Sequence, residues 1–253
     1  MAQRALPPPA ARLGRAVHTA GALSEVSGVV LLLPDGERES RRRPSTLSYA
    51  TQLPLARTLA RAGGEDGLAV HVVRYRRRGW NSGADPAADA GWAADEVGRR
   101  YGNVPVCLVG HGMGGRAALR AAGHTAVTSV LAMAPWLPEA TTGAEPEPVK
   151  HLAGRRVLIV HGTNDARTDP EMSYRLAERA KKTNRDTCRF EVHSDGHALR
   201  QHRSEVMALA GDFVRGSLFA RSYARPVVDA FAAPPPLGLR MPLAAGFGRS
   251  LRH

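Results

Sequence analysis

The stretch VCLVGHGMGGRAALRAAG, residues 106–123, decides the fold. Val104–Val109 reads as a buried apolar strand and Met113–Ala122 as a helix. Between them Gly110, Gly112, Gly114 and Gly115 crowd into the turn. A strand that runs straight into a helix must bend so sharply that its apex residue takes φ > 0. The flanking residues then need minimal side chains, so that neighbouring backbones can approach. Glycine at the apex, Gly112, meets that demand without strain; another residue there would carry on the order of 1–3 kcal/mol.

Outward from this turn, short β-rich runs alternate with helical patterns from residue 26 to residue 219. Val29–Leu33, Ala69–Arg74, Val104–Val109, Ser129–Met133, Arg156–Val160 and Arg189–His193 are the expected strands. Several are continuous apolar runs, the mark of strands buried on both faces. Helices are expected over Leu53–Ala62, Ala87–Tyr101, Met113–Ala122, Pro170–Lys182 and His202–Phe213. Pro170 suits a first helical position with Asp169 as its N-cap. The alternation implies right-handed βαβ crossovers. The expected class is α/β, a mostly parallel central sheet with helices on both faces. Functional groups in such sheets gather at the carboxyl ends of the strands.

A chain of 253 residues with 43% hydrophobic residues suits one domain with a full core. The expected division is a flexible tail over 1–22, the domain over 23–219, and a Pro/Arg-rich, disordered tail over 220–253. The net charge of +12 is concentrated in those tails. Residues 1–20 hold three arginines and no acid; residues 221–253 hold five arginines against Asp229. Arg41–Arg43 and Arg76–Arg78 lack interleaved aromatics that would stack on bases. No specific nucleic-acid partner is expected. No apolar run is long enough for a membrane span, and the Arg-bearing start has no apolar segment of a secretory signal. Cys107 and Cys188 lie in apolar strands without metal-ligand spacing, as buried thiols in a reducing, cytoplasmic compartment would.

Gly110–His111–Gly112–Met113–Gly114 has the spacing of the G-x-S-x-G nucleophile elbow, with glycine at its centre. On this motif and the residues below, the chain resembles the α/β-hydrolase family over roughly residues 26–215, in particular its small lidless esterase and dienelactone-hydrolase branches. The rival dinucleotide fingerprint, Gly110-x-Gly112-x-x-Gly115, follows two earlier strands, and the next strand offers no acidic residue. The resemblance implies that Asp165, in HGTND at the end of a strand, is the acid of a triad, favoured over Asp169. It implies that His197, in SDGHAL, is the base, flanked by His193 and His202. The order 112, 165, 197 is that of the family. The H-x₃-H-x₄-H spacing of the three histidines crosses a strand, a loop and a helix, so no metal site is read from it.

The resemblance further implies an oxyanion hole from the backbone N–H of Met113 and a second donor in the loop Pro34–Glu37. Gly36 is assigned that place, with Glu37 close behind. The segment departs here from the family's common His-Gly start. Only some 22 residues separate the strand at 129–133 from that at 156–160, too few for a helical lid.

Three functions stay open at this point. The first is a degenerate hydrolase of the ester type, which retains Asp165 and His197, binds a small ester-like molecule, and has lost most or all turnover. The second is a serine hydrolase altered recently at position 112, which Gly112→Ser would revive. The third, from another class, is a nucleic-acid-associated protein using its basic tails. No cofactor is expected in the first two.

Overall fold

The computed structural model describes residues 10–18, 25–44, 46–138 and 145–248, and places the elbow stretch near the middle of an eight-stranded sheet. In chain order come β1 (Arg12–Leu13), β2 (Gly28–Leu33), α1 (Thr46–Ala50), α2 (Leu53–Ala62) and β3 (Leu68–Arg74). Then follow α3 (Asp85–Tyr101), β4 (Val106–His111), α4 (Met113–Ala121), β5 (Val127–Met133), β6 (Arg156–Gly162) and α5 (Pro170–Thr183). The chain continues through β7 (Thr187–Val192), α6 (Arg203–Phe219), α7 (Arg225–Ala232) and β8 (Met241–Pro242). The order across the sheet is β1-β3-β2-β4-β5-β6-β7-β8. Every neighbouring pair is parallel except β1 with β3.

The unbroken apolar runs are explained by burial on both faces. In β2, Val29, Leu31 and Leu33 join the core on the face covered by α3 and α4, while Val30 and Leu32 join the core on the opposite face, covered by α6. Full burial of each such side chain stabilises by about 1.5–3 kcal/mol, and this pins the register of the central strands. At the start of α5, Asp169 accepts the Glu171 backbone N–H at 2.8 Å with Pro170 in the first turn, as the sequence requires.

Both tail expectations are corrected by the chain's own packing. In the N-terminal segment, β1 pairs with β3, and the Val17 N–H donates to Val70 O at 2.8 Å. The buried His71 ring holds the Gly14 carbonyl at 2.8 Å. The remainder of that expected tail, 1–9 and 19–22, lies outside the described residues. Beyond residue 220, α7 and β8 belong to the domain, and Val227, Ala230 and Leu239 are fully buried. The reason is the exposed edge that β7 would otherwise leave. β8 covers it, and the buried Arg189 guanidinium of β7 donates to Leu239 O at 3.0 Å. The triple proline masked this in the sequence, because it breaks every periodic pattern around it. Residues 249–253 lie outside the described residues.

Candidate active site

β4 ends in the turn that the glycines predicted. Gly112 has φ +55° and ψ −118°, a conformation that L residues rarely adopt. A Cβ on Gly114 would run into the Leu33 carbonyl, so glycine is required there for β4 and α4 to sit this close to β2. Three backbone bonds hold the apex: Gly112 N–H donates to Met133 O at 3.0 Å, and Gly112 O accepts from Trp136 N–H at 2.9 Å and from Arg116 N–H at 3.2 Å. The elbow is therefore intact as backbone.

The volume beside it is filled. A Cβ on Gly112 would overlap the Asp35 carboxylate, which enters from the loop after β2. Asp35 Oδ1 accepts the backbone N–H of Met113 at 2.9 Å and that of Gly36 at 2.8 Å. These are the two donors expected of an oxyanion hole, and here they converge on a side chain of the protein. Arg167 lies 3.2 Å from Asp35 Oδ2 and is the cation at the mouth of the site.

On the other side of Asp35 stands His197, from the loop after β7. Its Nε2 faces Asp35 Oδ2 at 3.5 Å, without the alignment of a hydrogen bond, and is buried with no partner. Its Nδ1 meets Asp165 Oδ2 at 2.9 Å. Asp165 is itself over-determined. Its Oδ1 accepts the backbone N–H groups of Arg167 and Thr168 at 2.8 and 3.0 Å. Its Oδ2 also accepts the Thr168 hydroxyl at 2.6 Å and faces His161 Nε2 at 3.1 Å. Such a shell fixes the acid and, through it, the orientation of the His197 ring.

The charges follow from these contacts. Burial pushes the Asp35 carboxyl up, but His197, the Met113 amide, His111 and Arg167 bring it down to about 2. Burial likewise opposes ionisation of Asp165, and hydrogen bonds from His161, Thr168 and His197 hold it well below the usual carboxylate range. For His197 burial favours the neutral ring, and the carboxylates of Asp35 and Asp165 outweigh that to raise its pKa. His111, buried beside it, is shifted down by burial and by the His197 charge.

The structure brings Gly112, Met113, Gly36, Asp165 and His197 together at the carboxyl edge of the sheet. His193 and His202 take no part: His202 lies at ion-pair distance from Asp195, 3.6 Å away. The sequence reading missed Asp35, His111 and Arg167. His111 Nε2 bonds the His197 carbonyl at 2.8 Å, and the two rings meet edge to face at 4.7 Å. A signal for Asp35 existed in Pro34–Asp35–Gly36, the place where the segment leaves the family pattern.

No protein-family model matches the chain, and no curated protein sequence does. Solved structures do resemble it. A thermophilic esterase of the planctomycete Thermogutta terrifontis, solved with butyrate bound, superposes with a TM-score of 0.63 at 20% identity, over 84% of this chain and 92% of that one. A lidless α/β serine hydrolase of Xanthomonas campestris gives 0.59 at 16% identity, over 84% and 90%. An esterase of Pyrococcus furiosus gives 0.60 at 16%, over 76% and 83%. At these identities the likeness establishes the fold.

Proposed function

We propose that this chain, which has the lidless α/β-hydrolase fold, is an esterase-type hydrolase scaffold in which the serine acyl-enzyme route is closed. On this reading its site binds a small ester-like molecule with turnover lost or strongly impaired. The supporting observation is that Asp35 Oδ1 accepts hydrogen bonds from both Met113 N–H and Gly36 N–H beside the bare α-carbon of Gly112. Glycine supplies no oxygen on which an acyl group could be carried. A water poised for His197 where a serine Oγ would sit meets the same carboxylate. A substrate carbonyl would have to displace the Asp35 carboxylate from the two amides before either could stabilise a developing oxyanion.

The alternative of an intact site lacking only its serine is disfavoured by the same carboxylate, which would have to turn aside before a serine side chain could enter. A nucleic-acid role through the C-terminal segment is disfavoured by its own ion pairs. Arg221, Arg225 and Arg240 face Asp66, Asp229 and Glu171 at 2.5, 3.7 and 3.1 Å, so their charge is answered internally. A cytoplasmic setting is supported by two buried free thiols, Cys107 and Cys188. No helix among the described residues is long and apolar enough to cross a membrane.

The test is direct. The purified chain is assayed with p-nitrophenyl acetate and butyrate, and exposed to a serine-directed fluorophosphonate. The expected result is no covalent label and no turnover above the solvent rate beyond a small residue. Turnover in the ordinary enzyme range, about 1–10³ s⁻¹, overturns the reading.

A further inference from the structure

We propose that Asp35, His111 and His197 form a binding site for a divalent transition-metal ion, zinc foremost, in the space beside Gly112. The three side chains come from separate elements: the loop after β2, the end of β4 and the loop after β7. One donor atom from each lies within 4.8 Å of the other two. The proposal goes beyond the reading of the site as a closed esterase and stands whether or not any ester is cleaved.

What favours a metal over a chance cluster is how the outward-facing atoms are tied off. Asp35 Oδ1 is held by two backbone amides, which leaves Oδ2, now 3.2 Å from Arg167, as the oxygen that would turn to a metal. His197 Nδ1 is held by Asp165, so the ring keeps a proton there and Nε2, which faces Asp35 Oδ2 at 3.5 Å, is the nitrogen that would exchange its proton for a metal ion. That Nε2 is buried and has no hydrogen-bond partner. His111 Nε2 donates to the His197 carbonyl oxygen, which leaves the lone pair of His111 on Nδ1. Each histidine thus gives its second nitrogen to a carboxylate or a backbone carbonyl. This is the outer-shell arrangement that orients metal-binding imidazoles and fixes their tautomers.

Two imidazole nitrogens and one carboxylate oxygen suit zinc and its first-row neighbours better than calcium or magnesium, which take oxygen ligands. Three protein ligands leave a coordination position open, as catalytic zinc sites do. Bonds of about 2.0–2.2 Å require donor atoms roughly 3.3 Å apart, so the cluster must contract by side-chain rotation. Asp35 Oδ2 would then leave Arg167, its present counter-charge at 3.2 Å. The Arg167 side chain is 60% exposed and can swing outward by giving up its long bond to the Gly36 carbonyl, 3.4 Å. Gly112 contributes by offering no side chain to this space.

The experiment uses the full chain, stripped with a chelator, dialysed, and titrated with Zn²⁺ by calorimetry and with Co²⁺ by electronic absorption. One ion per chain is expected, with Co²⁺ bands of the intense four- or five-coordinate kind. Asp35→Asn and His111→Gln should each weaken Zn²⁺ binding more than tenfold, and Asp165→Asn by about 10–100-fold through the loss of ring orientation. Arg167→Gln should tighten binding, because it removes the competing cation; a merely structural Arg167 would not do so. Circular dichroism checks that each variant is folded. If the ligand variants do not fold, the wild-type Co²⁺ spectrum and the Arg167→Gln shift carry the decision. Absence of saturable uptake by the folded wild-type chain overturns the proposal. So does uptake that His193→Ala or His202→Ala abolishes while Asp35→Asn leaves it intact.

Discussion

The carboxylate of Asp35 occupies the space into which a side chain at Gly112 would project, and it does so while bonded to the Met113 amide at 2.9 Å. The two residues are far apart in sequence and complementary in volume: one has given up a side chain where the other inserts one. A glycine without Asp35 would leave a hole beside His197. A serine with Asp35 would leave a clash.

That complementarity predicts how the site responds to repair. Gly112→Ser alone should fail to create an esterase and should lower stability, because its Cβ overlaps Asp35. The pair Asp35→Gly with Gly112→Ser clears the space and frees both amides. It should raise p-nitrophenyl acetate hydrolysis at least about 100-fold over wild type. A serine nucleophile in a protease is worth roughly 10⁶-fold, so this asks for a fraction of that effect. Fluorophosphonate labelling of the double variant, and not of the single one, is the accompanying readout. Equal labelling of both would mean that Asp35 does not obstruct position 112.

Asp165 predicts a stability effect independent of chemistry. Its carboxylate accepts from Arg167, Thr168 and His197, and faces His161. Asp165→Asn keeps the shape but turns an NH₂ group toward donors. Hydrogen bonds to a charged group contribute about 1.5–3 kcal/mol each, and the loss is expected at about 2–4 kcal/mol in urea unfolding. A loss below 0.5 kcal/mol would show that this shell is loosely held.

Most of the sheet was legible because burial on both faces writes continuous apolar runs such as Val29–Leu33 into the chain. That Asp165 and His197 would meet was legible through the likeness of HGTND and SDGHAL to the family's acid and histidine loops. Asp35 was not. Its role depends on the absence of a side chain at residue 112 and on amides from two loops, and no local pattern encodes that meeting. His111 was hidden inside the motif itself, where the eye goes to the apex. The C-terminal segment was misread because Pro234–Pro236 suggests an unstructured chain, while Val227, Ala230 and Leu239 are spaced for contacts with distant elements. The spacing of His193, His197 and His202 along the chain says nothing of the cluster that forms, because Asp35, His111 and His197 come from three separate regions.

The C-terminal correction carries its own test. Deleting residues 221–253 uncovers the β7 edge and strips Leu239 and Val227 from the core. Each of those burials contributes about 1.5–3 kcal/mol, so the truncated chain should lose about 3 kcal/mol or more and tend to associate through the bare edge. Leu239→Ala, a milder change, should cost about 2–5 kcal/mol. An unchanged urea midpoint in both would place this segment outside the cooperative unit.

Asp66 ties the end of α6 and the residues after it to the turn before β3, and its titration gives a signed pH effect. Its carboxylate takes Arg221 Nε at 2.9 Å and Arg215 Nε at 3.2 Å. Burial pushes the group up, but the two guanidinium groups more than offset this and lower its pKa from 3.8. The folded value thus lies below the unfolded one. Its contribution is complete above about pH 3.8 and is lost as pH falls through the folded pKa. The Arg215 and Arg221 side chains are 42% and 58% exposed, so the surface-pair scale applies. Asp66→Asn should cost about 0.5–1 kcal/mol at pH 7, and less in high salt. Urea unfolding of both chains between pH 7 and pH 3 should show their gap closing toward the acid end. A gap that stays constant would trace the loss to the shape of the turn and not to the charge.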